Sequence, residues 1–311
     1  MRPARGIVLA FIALALLRGI VLTYTSQPLY FAMHWQMLAD GALSALFGGI
    51  FLLLASVARR EHHLSAPQWL VLFVLLVPQW LAILLGPPYV QFIPWLHQTR
   101  SGMTFLLLMA APLWLGLLSA LRLVSVEVPR SVVAAGIAGI GTVCLVVPVE
   151  AYTVRSNQIP VLLMHLLLNI VIVFTWAYAC PRLASAGTLA IAGSYLLLSA
   201  IGGAAFSFLL ERHAWQPIDW HEVIVPLLIQ TAVTAGSLWL WFWLLERMML
   251  PAFTMYLLAA WAASLIRDIA YGSFLLWRVD AALVIAVAAI TVALRARVSD
   301  EQPVVLGLHS R

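Results

Sequence analysis

The feature that most limits this chain is a recurrence of apolar runs, mostly about 17 to 25 residues long, divided by short charged or proline-marked breaks. At 1.5 Å per residue, a helix of that length matches a hydrocarbon core of roughly 30 Å. About ten such spans can be set out: Gly6–Tyr24, Met37–Val57, Trp69–Leu85, Met103–Leu121, Ser131–Val149, Val161–Cys180, Thr188–Leu210, Val223–Leu245, Ala252–Trp277 and Ala281–Leu294. The breaks have a physical basis. Pro67, the Gly86-Pro87-Pro88 run, Pro129, Pro160, Pro181, Pro217 and Pro251 stand at or near proposed ends, where a missing N–H disrupts least. The ninth and tenth spans are bounded least sharply, because only Arg267-Asp268 and Arg278-Val279-Asp280 interrupt the sequence from Met249 to Leu294.

Composition excludes the soluble alternative. Of the 311 residues, 64% are hydrophobic and 9% charged, and mean hydropathy is +1.01. A soluble domain carries charge on about a quarter of its residues. The net charge of +5 does not mark a nucleic-acid partner, because the 17 basic residues, all arginine, are scattered between apolar runs and build no basic face.

The arginines instead set an orientation. With the N-terminus inside, the cytoplasmic loops and ends hold Arg2, Arg5, Arg59, Arg60, Arg122, Arg130, Arg182, Arg247, Arg295, Arg297 and Arg311. The outer loops hold only Arg100, Arg155, Arg212 and Arg278, while Arg18 and Arg267 fall inside spans. Excess arginine keeps short loops cytoplasmic, so both termini are expected inside a bacterial-type inner membrane. The apolar run from Gly6 is too long for a signal-peptide core and is expected to remain as the first span. Tyr30, Trp35, Tyr89, Trp95, Trp215 and Trp220 of the outer loops form an aromatic belt. Cys144 and Cys180 fit no metal or redox spacing, lie at opposite depths of the proposed bundle, and are expected to be packing residues.

Two stretches carry a family resemblance. In the first, Ala110-Ala111-Pro112-Leu113-Trp114 is followed by Gly116, Glu127, Pro129 and the small-residue run Val132 to Gly141. In the second, Phe174-Thr175-Trp176-Ala177-Tyr178 ends at Arg182, and Ala235 to Trp243 runs into Glu246-Arg247. This order resembles the drug/metabolite transporter superfamily, EamA type. The ninth span lacks the matching proline, with Leu265 near that position, and Asp280 stands where a glutamate is usual. The resemblance implies an all-α polytopic membrane protein of about ten transmembrane helices in two inverted five-helix repeats. Residues 1–150 would form the first repeat, 151–298 the second, and 299–311 a cytoplasmic tail. It also implies a central space ringed by spans one, three, four, six, eight and nine.

Ionisable or amide side chains inside a membrane are costly and mark pathways or interhelical pairing. The substrate-cavity candidates are therefore Arg18, Gln79, His165, Asn169, Gln230, Arg267 and Asp268, with Asp40 a weaker one. His165 and Asn169 are spaced to share a helix face. Arg267 and Asp268 are neighbours that diverge by about 100°, so Arg18 is the expected partner of Asp268. Trp239, Trp241 and Trp243 do not form one stripe, and at most one or two of them can face a ligand. Gly136, Gly139, Gly141, Gly202 and Gly203 read as close-packing positions. In the 211–222 loop, His213, Asp219, His221 and Glu222 offer metal-binding residue types but match no metal-site spacing. Neither a phosphate loop nor a nucleophile motif is visible, so no metal or cofactor is implied.

These readings favour a secondary, non-ATP transporter that exports a small amphipathic metabolite or drug-like compound; the sequence implies only the bilayer and that substrate as partners. Alternatives are a flippase for a lipid-linked intermediate, a membrane-embedded enzyme using His165 or the 211–222 loop, and an assembly subunit.

Overall fold

The computed structural model describes residues 5–21, 37–84, 106–107, 109–147, 159–212, 219–270 and 276–295, and every regular element among them is a helix. Helix α1 (Arg5–Leu16) passes into a π-helical turn, Leu17–Val21. It is followed by α2 (Met37–Ala58), α3 (Ala66–Leu84), α4 (Ala111–Ala120), α5 (Arg130–Val146), α6 (Ile159–Leu183) and α7 (Thr188–Leu210). Then come α8 (Trp220–Arg247), the single turn α9 (Leu250–Phe253), α10 (Tyr256–Ala270) and α11 (Leu276–Arg295). Five of these, α2, α6, α7, α8 and α11, are long and apolar enough to cross a membrane. Their outward faces are apolar too: Leu54 is 65% exposed, Leu209 70% and Val284 69%, which suits hydrocarbon better than water.

Helix falls on each of the ten expected spans, with shifted ends. Pro181 lies inside the last turn of α6, and Pro78 and Pro226 lie inside α3 and α8. The expected ninth span is broken at Thr254-Met255, just after Pro251 opens α9. The last helix starts at Leu276, so Arg278 and Asp280 belong to its first turns rather than to a loop.

The bundle is held by close helix pairs. α2 and α7 run antiparallel: a Cβ at Gly49 would lie 3.0 Å from the Gly193 carbonyl, and one at Gly203 would lie 3.2 Å from Ala42 Cβ. Small residues here let the backbones approach and gain packing that lipid does not match. Gly136, Gly139 and Gly202 likewise sit against Pro112, Leu258 and Trp80, as expected, whereas a side chain at Gly141 would meet open space.

A glutamate closes each end of the α2–α7 pair. Glu61, just after α2, accepts hydrogen bonds from the Leu189 and Ala190 N–H groups at the start of α7, at 2.9 and 3.3 Å. Glu211, just after α7, accepts from the Leu38 and Ala39 N–H groups at the start of α2, at 2.9 and 3.2 Å, and from the Ser207 hydroxyl at 2.8 Å. Each carboxylate thus meets orphan donors and the positive end of a helix dipole. Next along the chain, Ser65-Ala66-Pro67-Gln68 makes the return half of a capping box: Gln68 Oε1 accepts from the Ser65 N–H and hydroxyl. Its amide donates to the Arg182 carbonyl and to Ser185, tying the start of α3 to the end of α6.

The pairings recur. α2 packs most extensively on α7, and α5 on α11. α3 lies on α6 while α1 lies on α8; α2 lies on α8 while α3 lies on α7. α4 touches α5 and α6, and α10 touches α11 and α1.

Candidate functional site

The polar centre of the bundle is organised by the π-helical turn at the end of α1. A π turn widens the helix and re-aims its side chains, and such turns concentrate at functional positions. Gly19 lets this turn press against α10, since any side chain there would strike the Ala260 carbonyl and Ala263. Arg18 is consequently directed onto the Trp241 ring of α8, with its guanidinium carbon 5.0 Å from the ring centroid. The Tyr256 side chain of α10 hydrogen-bonds to Arg18, and Tyr195 of α7 lies within its electrostatic reach.

Aromatic rings continue from there. Trp241 meets Tyr256 edge-on at 4.5 Å and Phe253 at 4.8 Å, and Trp176 of α6 approaches Trp241 at 5.8 Å and Tyr195 at 6.4 Å. Gln79 of α3 completes the group. In the turn that Pro78 loosens, its amide donates to the Leu75 carbonyl at 3.1 Å. That leaves Oε1 to accept from the Tyr195 hydroxyl at 2.5 Å. Arg18, Gln79, Trp176, Tyr195 and Trp241 all remain half-buried.

Hydrogen bonding at this centre is unbalanced. Arg18 Nε and Trp241 Nε1 are buried with no acceptor among the described residues, and both groups are donors only. No described carboxylate reaches Arg18. The expected Arg18–Asp268 pair falls on an Asp268 side chain that is not among the described residues, and the Arg267 side chain lies outside them too.

The remaining candidates separate by depth. His165 and Asn169 are buried on one face of α6, with the Asn169 amide donating to the His165 carbonyl at 2.8 Å. They stand at least one and a half turns before Trp176, and Gln230 stands about three turns before Trp241, ~16 Å along α8. Of the five candidates whose side chains are described, the structure therefore brings together Arg18 and Gln79. Asp40 is buried at the start of α2 beside Glu211. In the 211–222 loop, Asp219 caps α8 by accepting from the His221 N–H at 3.0 Å, while His213 lies outside the described residues. Cys180 is half-buried as a packing residue should be, but Cys144 is exposed.

Trp176, Tyr195 and Tyr256 are the site residues that sequence reasoning passed over. Their signal was weak, an amphipathic ring inside an apolar run. Within the expected Trp239-Trp241-Trp243 row, only Trp241 joins the cluster; Trp243 instead carries Arg247 at 4.2 Å. A separate hollow of 610 Å³ lies beside the α4–α5 connection, lined among others by Arg122, Glu127, Tyr178 and Arg182.

No protein-family model matches the chain, and no curated protein matches it. One solved structure, described simply as "Crystal structure of protein", superposes with a TM-score of 0.67 at 17% identity, over 91% of this chain and 94% of its own. That likeness establishes the fold alone: an all-helical arrangement with the long apolar helices of a membrane protein.

Proposed function

We propose that the chain is a secondary membrane transporter of the drug/metabolite type, with ten spans in two inverted five-helix repeats, exporting a small amphipathic compound. The observation that carries this reading is the recurrence of helix pairings. If α9 and α10 count as one rod, the pairings named above have counterparts five rods further along the chain, and α2–α7 and α5–α11 are their own counterparts; the α7–α8 packing departs from this rule, without comparable α2–α3 packing among the described residues. The glutamate clamps follow the same rule, since each lies just after one member of the α2–α7 pair and caps the other. An odd number of spans per repeat makes the second repeat inverted, the arrangement that permits alternating access to a midplane site. The Arg18–Gln79–Tyr195–Trp241 group is that site. It is polar, half-buried, and assembled from both halves of the chain.

The test needs no knowledge of the substrate. In a variant with Cys144 and Cys180 replaced by serine, Gln79→Cys should react with a membrane-impermeant thiol reagent from either face of sealed vesicles. Access from one face only, or from neither, counts against alternating access. Reporter fusions after Arg60 and after Arg295 should both read cytoplasmic, and one near Trp215 external.

A further inference from the structure

The donor excess at Arg18 bears on what the site holds. A guanidinium keeps its charge in proteins, so this one brings a full positive charge into an apolar bundle. Three features of its surroundings narrow the complement. Gln79 Oε1, the amide acceptor of the cluster, receives the Tyr195 hydroxyl and not the guanidinium. Two groups that can only donate, Arg18 Nε and Trp241 Nε1, are buried without acceptors among the described residues, on side chains stacked 5.0 Å apart. The remaining surface is aromatic: Trp176, Tyr195, Trp241 and Tyr256. A cationic ligand would be repelled, and a neutral one would leave the charge without a counter-ion. A phosphate, carrying up to two charges at neutral pH, outnumbers the single guanidinium.

We infer that this site binds an organic anion, with a carboxylate received by Arg18 and the Trp241 N–H and an apolar, preferably aromatic, body against the surrounding rings. Guanidinium and carboxylate match in charge and in planar hydrogen-bonding geometry, and the rings supply flat apolar contact. The inference rests on the proposed transport function only for movement of the ligand; binding stands or falls separately.

Thermal unfolding of the purified full chain, at constant ionic strength, should show stabilisation by phenylacetate and indole-3-acetate. The neutral phenylacetamide and the cationic phenethylamine should give no such shift. Arg18→Gln should weaken phenylacetate binding by about tenfold or more, because a charge-assisted hydrogen bond is lost. Trp241→Phe, which keeps the ring and removes the N–H, should weaken it several-fold; Arg18→Lys should fall between wild type and Arg18→Gln. The inference is overturned if neither carboxylate stabilises the protein, or if the amide does so equally well. It also fails if Trp241→Phe binds phenylacetate as wild type does, a result that decides the matter even should Arg18→Gln not fold. Binding without counterflow of phenylacetate in proteoliposomes would keep the anion site and remove the transport reading. Counterflow that prefers the amine and survives Arg18→Gln would keep transport and remove the anion site.

Discussion

At the ends of the α2–α7 pair and at the middle of the bundle, charge is held in opposite ways. Glu61 and Glu211 each face the first turn of a neighbouring helix, where backbone N–H groups have no intrahelical acceptor, and each accepts from two of them. Ser207 adds a third donor to Glu211. Arg18 rests on the Trp241 ring, and both Arg18 Nε and the indole N–H lack an acceptor among the described residues. A buried charge enclosed by complementary backbone groups braces a scaffold. One with unmet donors contributes little to folding and is available to something else.

Substitutions can break or sharpen that contrast, with unfolding followed by SDS titration of the detergent-solubilised protein. The largest effect is expected at Glu211. Glu211→Ala leaves the Leu38 and Ala39 N–H groups without their acceptor in a buried setting and should destabilise by about 3 kcal/mol or more. Glu61 is half-buried and accepts from one N–H at a longer 3.3 Å, so Glu61→Ala should cost about 1–2 kcal/mol. If Glu61→Ala were the worse of the two, the clamps would not be graded by burial as their geometry implies. Tyr195→Phe removes the hydroxyl from Gln79 Oε1 and should cost about 1 kcal/mol, with a larger loss of ligand response than of stability.

Arg18→Met should have the smallest effect on folding. It loses a cation–π contact worth about 0.5–2 kcal/mol and the Tyr256 hydrogen bond worth about 1 kcal/mol, and it removes a buried orphan donor that costs about 1–3 kcal/mol, so the terms largely offset. Destabilisation on the Glu211→Ala scale would mean that Arg18 is a structural brace, and the contrast would collapse.

How far these features were legible beforehand depends on their range. The helical, membrane-type character could be read directly, because a run of apolar residues long enough to cross a bilayer is a one-dimensional signal. Helix ends were less legible where proline did not terminate a helix. Pro181 rides inside α6 because a proline near the last turn breaks little, and Arg278 lies within α11 because charge near a helix end need not break it. Arg18 and Gln79 stood out in the sequence as costly residues for an apolar run. Charge balance was the only guide to pairing across helices, and it pointed from Arg18 to Asp268, whose side chain is not among the described residues.

What the sequence by itself determined is the helical, membrane-type character of the chain and the small set of polar side chains that its helices must accommodate. Hydropathy and charge scarcity settle both, without knowledge of any neighbour. Only the tertiary structure decided what those side chains face. The π turn rotates Arg18 toward α8 and α10; Gly19 permits the approach of α10; Tyr195, Trp176 and Tyr256 arrive from three other helices. Glu211 looked like part of a polar loop and proved to be the cap of a helix that begins far earlier in the chain. These relations depend on distances between segments remote in sequence, and no local pattern of hydrophobicity encodes such distances.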